Sequence, residues 1–314
     1  MIIAQSDKWK NEVLIPEVLE KPNDSGGIHF DEFGILRCGL EQSDALEFHE
    51  KYSKGAFLRK LKNVKNHQIS WETPYYFKLF DCFLKDQPLS DSIFLDIGCG
   101  DGRVTEYLLN KGARKIVCID FDYEPLRSLS HYLDETGQKS KVLLIHSDFE
   151  NIPVYNKKFD IIFALRTLYY TNEKYELLIK KINHLLIANG LLIISDPNLE
   201  GFVLRALLFD SLNEALNTFE KRRFKEVKEN TDLRFRIFTQ KELLTIYSDN
   251  GFNVEDTHGI TMWHNLLRIL LLRGQVSENE LDTNKDRLTD LFDFLDKEGS
   301  LFKDIVWKLK KNDI

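Results

Sequence analysis

Three glycines at alternate positions, Gly98, Gly100 and Gly102, follow the apolar run Ile93-Phe94-Leu95-Asp96-Ile97, whose one acid lies two residues before the first glycine. Glycine has no Cβ, so a turn built from it lets main-chain N–H groups come close to a ligand. Val104, Tyr107 and Leu108 continue at helical spacing, so the turn opens a helix whose first N–H groups have no intrahelical partner. The chemistry this predicts is capture of a small molecule at the carboxyl end of a strand, where open α/β sheets take ligands. The glycines run G-x-G-x-G rather than the G-x-G-x-x-G of dinucleotide binders. A carboxylate at Asp96 would repel a pyrophosphate and suit a ligand carrying a cationic amino acid group.

Such a turn works only if a sheet and its helices hold it. Strands are expected at 92–97, 115–120, 141–146, 159–164 and 191–195, each an apolar run. Between them lie amphipathic helices, one with Leu126, Leu129 and Leu133 on a face, another with Leu178, Ile182, Leu185 and Leu186. Apolar strands alternating with such helices mean a parallel sheet covered on both sides. A sixth strand is expected at 252–259, after a helix opened by the capping box Thr239–Glu242. A last strand is expected at 304–310, with Lys308 and Lys310 on one half-exposed face. Before the glycine turn, Thr73-Pro74 starts a helix in which Tyr76, Phe80 and Phe83 share a face. Further upstream, Lys51 to His67 carries six basic residues and no acid, either a solvated face or a basic lid.

The stretch Leu95-Asp96-Ile97-Gly98-Cys99-Gly100-Asp101-Gly102 resembles the first motif of class I S-adenosylmethionine (SAM) dependent methyltransferases. The resemblance covers about residues 90–260 and the last strand. It implies an α/β, Rossmann-like, seven-stranded sheet in the order 3-2-1-4-5-7-6, with helices on both faces. Residues 1–88 would then be an N-terminal extension or lid. Residues 89–314 would be the SAM-binding domain, with helical cap insertions at about 198–237 and 261–299. The implied cofactor-binding residues are Asp96, Gly98, Cys99, Gly100, Asp120, Phe121, Asp148, Phe149, Ala164 and Leu165. Asp120, ending the second strand, would accept from both ribose hydroxyls, as acids do in dinucleotide folds. Phe121 would pack on the adenine, and Asp148 with Phe149 would lie at its edge. Ala164 and Leu165 would lie near the methionine part, and Asp96 near its amino group. Asp122 reads instead as a helix N-cap, and His146 as a support behind Asp148.

Methyl transfer from a sulfonium asks the protein mainly to align and desolvate the nucleophile, so no fixed catalytic residue is implied. Candidates are Tyr169 and His264 for catalysis, with Arg166, Tyr169, Tyr170 and Trp71 for the substrate. His258 and His264 read more simply as structural histidines, and the tyrosines equally as core. The Asn/Asp-Pro-Pro-Tyr motif of base and glutamine methyltransferases is absent after strand four. The chain has 314 residues, 43% of them hydrophobic, and a net charge of −7. That acidity counts against nucleic acid as a partner. Four cysteines, Cys38, Cys82, Cys99 and Cys118, form no C-x-x-C pair, so neither a metal site nor a disulfide framework is expected, and a reducing cytoplasm suits them. No membrane span or signal peptide is expected. The expected function is methyl transfer from SAM, leaving S-adenosylhomocysteine, to oxygen or nitrogen of a small molecule. The rivals are an RNA or protein acceptor, a SAM-binding regulator without turnover, and an NAD-linked oxidoreductase, the last opposed by the glycine spacing and Asp96.

Overall fold

The computed structural model describes residues 29–38, 72–152, 154, 156, 158–228, 231–261, 263, 266–267, 270–271, 273–298 and 302–312. Trp71, His264 and the basic stretch Lys51–His67 lie outside them. The described strands are β1 (His29–Phe30), β2 (Ile35–Arg37), β3 (Ile93–Ile97), β4 (Lys115–Asp120), β5 (Val142–His146), β6 (Phe159–Leu165), β7 (Leu186–Pro197), β8 (Arg223–Lys228), β9 (Thr231–Arg236), β10 (Phe252–Thr261) and β11 (Phe302–Lys311). The helices are α1 (Thr73–Leu84), α2 (Arg103–Asn110), α3 (Tyr123–Glu135), α4 (Tyr175–Leu185), α5 (Leu199–Phe209), α6 (Leu212–Lys221), α7 (Gln240–Asp249), α8 (Glu278–Thr283) and α9 (Lys285–Glu298).

The main sheet has nine strands, in the order β1-β2-β5-β4-β3-β6-β7-β11-β10. Its seven strands from β5 to β10 follow the order 3-2-1-4-5-7-6. The expectation of seven strands in all needs correction, because β1 and β2 form an antiparallel pair and β2 adds parallel to β5. Each is two or three residues long, too short to show a period of two in the sequence. Asp31 closes the turn between them, its Oδ1 accepting from the N–H groups of Phe33 and Ile35. Its Oδ2 accepts from the Tyr123 hydroxyl of α3 at 2.8 Å.

Side chains alternate across the sheet, so neighbouring positions enter different cores. Leu95, Val117, Leu143, Ile162, Leu192 and Trp307 pack under α4 and α7. Phe94, Ile116, Val142, Ile161, Ile193 and Val306 pack under α1, α2, α3 and α9. Strand β11 runs antiparallel between β7 and β10. Most of its residues are buried, including both Lys303 and Asp304, so the half-exposed face expected for it is confined to its last residues. There Lys308 and Lys310 both pair with Glu255.

The segment after β7, expected to be a helical cap, is two helices followed by an antiparallel hairpin, β8–β9. Its mixed charges over Glu220–Lys225 hid the strand pattern. Gly201 of α5 lies against β11, so close that a Cβ there would fall 2.4 Å from the Lys303 Cα. Later, α9 packs on α1 through Phe292 and Tyr75, with ring centroids 6.0 Å apart. No described helix is long and apolar enough to cross a membrane.

Phe163 is completely buried at the sheet centre, edge-on to Phe80 of α1 at 5.6 Å. Replacing a buried ring of this kind with alanine leaves a cavity and typically costs 3–5 kcal/mol. Phe163→Ala is therefore expected to lower the unfolding free energy by about 3–5 kcal/mol, read from the denaturant midpoint.

Candidate functional site

The glycine turn sits where β3 ends, and hydrogen bonds to β4 hold its path. The N–H groups of Gly98 and Cys99 both donate to the Ile119 carbonyl, at 2.8 and 3.1 Å. Gly98, Gly100 and Gly102 all have left-handed backbones, with φ of 67, 52 and 88°. Their surroundings differ. A Cβ on Gly98 would lie 2.3 Å from Thr167 Oγ1, and one on Gly102 would lie 2.5 Å from a Leu129 methyl. A Cβ on Gly100 would meet nothing within 4 Å. The turn is thus closed at its two ends and open in the middle, the geometry of a cradle.

Asp120 closes the floor of that cradle. Its Oδ2 accepts from the Gly100 N–H at 2.8 Å and its Oδ1 from the Asp122 N–H at 2.8 Å. The Phe121 N–H also donates to this carboxylate. Asp122 is the N-cap expected of it, its side chain accepting from the Glu124 N–H. Asp96 is buried under α2, with the Thr105 hydroxyl donating to it at 3.3 Å. Burial pushes the Asp96 carboxyl up to about 7; the Thr105 hydrogen bond pulls it down and the Asp120 charge adds to the rise. Burial also lifts Asp120, to about 6, against the Asp122 and Gly100 N–H groups.

The other residues singled out in the sequence fall around this floor. Cys99 is buried in the turn. Phe121 is half-buried just beyond β4, and the His146 ring meets its carbonyl at 3.0 Å. Asp148 is half-buried after β5. The Phe149 ring belongs to the core, with the Lys181 ammonium 5.3 Å from its centre. Ala164 is buried and Leu165 half-buried at the end of β6, beside the Thr167 that roofs Gly98. The carboxyl ends of β3, β4, β5 and β6 thus lie side by side along one edge of the sheet.

Beyond Leu165 the character changes. Arg166 has a left-handed backbone, φ 55°, held by its N–H donating to Ser195 Oγ at 2.8 Å. Its Nη2 donates to Asp304 at 2.9 Å, a buried acid that also takes the Lys303 ammonium. Burial opposes ionisation of Asp304, yet the Lys303 and Arg166 charges outweigh it and hold its carboxyl below the usual range. On the other side the buried Glu72 faces Arg103 at 3.7 Å. Tyr169 and Tyr170 stack with centroids 4.5 Å apart, and both meet Phe235 of β9. His258 meets the Tyr75 hydroxyl at 2.7 Å, away from the glycine turn on β10. Sequence reasoning missed Glu72, Arg103, Lys303 and Asp304 as site residues. The readable signals were an acid inside an aromatic run for Glu72, and a Lys-Asp pair entering an apolar strand for Lys303 and Asp304.

Comparisons with known proteins point the same way. Residues 95–194 match the family model described as "Methyltransferase domain". A tRNA U34 carboxymethyltransferase of Vibrio cholerae is 30% identical over 120 residues, covering 36% of this chain and 35% of its own. One of Campylobacter hominis is 32% identical over 106 residues, covering 33% and 34%. The matched stretch is thus about a third of the length of those relatives. Among solved structures, a SAM-dependent methyltransferase of Methanosarcina mazei aligns with a TM-score of 0.51 at 18% identity, covering 71% of this chain and 93% of that one. The Burkholderia thailandensis 1,6-didemethyltoxoflavin-N1-methyltransferase, with S-adenosylhomocysteine bound, aligns at 0.52 and 14% identity over 94% and 99%.

A carboxyl raised by burial keeps its proton in the folded chain after the unfolded chain has released it. That stabilises the fold fully below about pH 3.8 and is lost as pH rises through about 7 for Asp96. The ligand-free protein is therefore expected to lose stability between these limits on account of Asp96. The excess of Asp96→Asn over wild type in urea midpoint is expected to grow from pH 4 to pH 8.

Proposed function

We propose that this chain, which carries a class I SAM-dependent methyltransferase domain, transfers the methyl group of SAM to an oxygen or nitrogen of a small-molecule acceptor. The observation that carries this reading is the open Gly100 position above Asp120. A ligand's ribose can approach the main chain there and donate both hydroxyls to one fixed carboxylate. Asp96 suits the ammonium of the methionine part, which a pyrophosphate-bearing cofactor lacks. Gly98, Cys99 and Gly100 supply the wall of the cradle. Phe121, Asp148 and Phe149 flank the adenine, with Phe149 contributing main chain because its ring is in the core. Ala164 and Leu165 pass beside the methionine part.

The bound cofactor supplies a methyl on a sulfonium, with a neutral thioether as leaving group. The protein's work is then to align the acceptor and exclude water, which at best accounts for about 7–11 kcal/mol of barrier. The aromatic group Tyr169, Tyr170 and Phe235, brought by the hairpin β8–β9, offers an apolar wall for an acceptor. Arg166 offers a charge beside it. The Tyr169 hydroxyl is the described candidate for accepting a hydrogen bond from an acceptor hydroxyl or amine, which would help orient it.

The curated relatives supply a second reading, because their names state a tRNA acceptor. They argue against dismissing nucleic acid on net charge alone. The two readings part on salt: affinity for tRNA would fall steeply as salt rises, whereas affinity for a small acceptor in an enclosed site would not.

Titration calorimetry with SAM, S-adenosylhomocysteine and NAD tests the cofactor. SAM and its product are expected to bind and NAD is not; NAD binding without SAM binding sinks the assignment. Asp120→Ala removes a charged acceptor, and hydrogen bonds to charged groups are worth about 1.5–3 kcal/mol each. SAM affinity is therefore expected to fall by about 10- to 100-fold or more. Wild-type affinity is also expected to rise with pH as Asp96 ionises through about 7, and Asp96→Asn to flatten that rise.

A further inference from the structure

We infer that the acceptor is an organic acid, and that its carboxylate docks on Arg166. The inference rests on the methyl-transfer reading above and names the substrate class of the same site. Its first support is the backbone. Arginine at φ 55° is in a region costly for a residue with a Cβ. The chain nevertheless adopts it at the carboxyl end of β6, next to the Leu165 and Thr167 that border the glycine turn. The Ser195 hydroxyl holds it there by accepting the Arg166 N–H. Such strain is a feature of sites where a side chain must be aimed.

The second support is the guanidinium itself. One of its nitrogens is used by Asp304, but the Arg166 Nε is buried without a hydrogen-bond partner. A buried charged donor left unmade is costly. Asp304 cannot neutralise Arg166 alone, because the same carboxylate oxygen also takes Lys303. Glu72, the next acid along, faces Arg103, and its charge also reaches Arg166. A ligand carboxylate would take up that spare donor, and a guanidinium fork matches a carboxylate in charge and in geometry.

The third support is scale. The Arg166 side chain is only 22% exposed, and the stacked Tyr169–Tyr170 pair follows within one turn of chain. A charge this enclosed, beside aromatic rings, suits a compact acid with an apolar body better than a polyanionic strand, which needs a row of exposed cations.

The test uses the full-length protein saturated with S-adenosylhomocysteine. Benzoate, phenylacetate and indole-3-acetate are titrated against it, each beside its uncharged primary amide. At least one acid is expected to bind ten-fold or more tightly than its amide. Arg166→Gln is expected to abolish that preference while keeping S-adenosylhomocysteine affinity within two-fold, which also reports that the variant is folded. Arg166→Lys is expected to retain part of the preference. No preference for any acid over its amide, or a preference unchanged in Arg166→Gln, overturns the inference. An RNA oligonucleotide that loses more affinity in Arg166→Gln than the acids do also overturns it, assigning the charge to phosphate. Failure of S-adenosylhomocysteine to bind, with the acid preference intact, counts instead against the methyl-transfer reading.

Discussion

One hydrogen bond ties the site to the fold: the Gly100 N–H donating to Asp120 Oδ2 at 2.8 Å. It joins the turn after β3 to the end of β4, and it exists only because those strands are neighbours in parallel register, Asp96 beside Cys118 and Ile97 beside Ile119. A buried carboxylate without donors would be expelled or neutralised. The main-chain N–H groups of Gly100, Asp122 and Phe121 keep Asp120 in place, and that of Gly100 in turn needs the left-handed path that only glycine takes easily. Thr167 on one side and Leu129 on the other then fill the space a larger residue would require. A change to any of these parts is felt at the carboxylate.

The buried acids along the carboxyl edge of the sheet divide by their partners. Asp96 and Asp120 meet hydroxyl and main-chain donors, and burial dominates, so both are lifted. Asp196 behaves alike: burial lifts it to about 7 although the Tyr175 and Tyr247 hydroxyls both donate to it. Asp304, equally buried, is held down by Lys303 and Arg166. The edge therefore has a side where negative charge is dear and a cation would be welcome. Next to it is a side already rich in cations. A ligand lying across the edge would meet the two in succession.

Much of this could be read from the sequence because it is local. The glycine spacing, Asp120 at a strand end, Asp122 before a helix and the capping box at Thr239 each lie within a few residues of their consequences, and five of the core strands announce themselves by apolar runs. What could not be read is what depends on distance or brevity. Arg166 and Asp304 are 138 positions apart. Strands β1 and β2 are shorter than the period that would reveal them. The β8–β9 hairpin carries the charges of a solvated loop, and its role became visible only where Phe235 meets Tyr169 and Tyr170. Lys308 and Lys310 suggested a half-exposed last strand, whereas neighbours on both sides cover most of it.

That last strand sets an order of events during synthesis. Among the described residues, β10 joins the sheet only through β11, which lies between it and β7. A chain emerging from its amino terminus can assemble β3 to β7 and the glycine turn while β11 is still unmade. Strand β10 then has no partner until β11 is made, and β11 completes the ladders to both β7 and β10. Lys303 and Asp304 arrive with it. The part of the sheet edge that holds the cradle can therefore form early, whereas Lys303 and Asp304 join Arg166 only when the final strand slots into the gap, so a truncated or stalled chain would keep the first and lack the second.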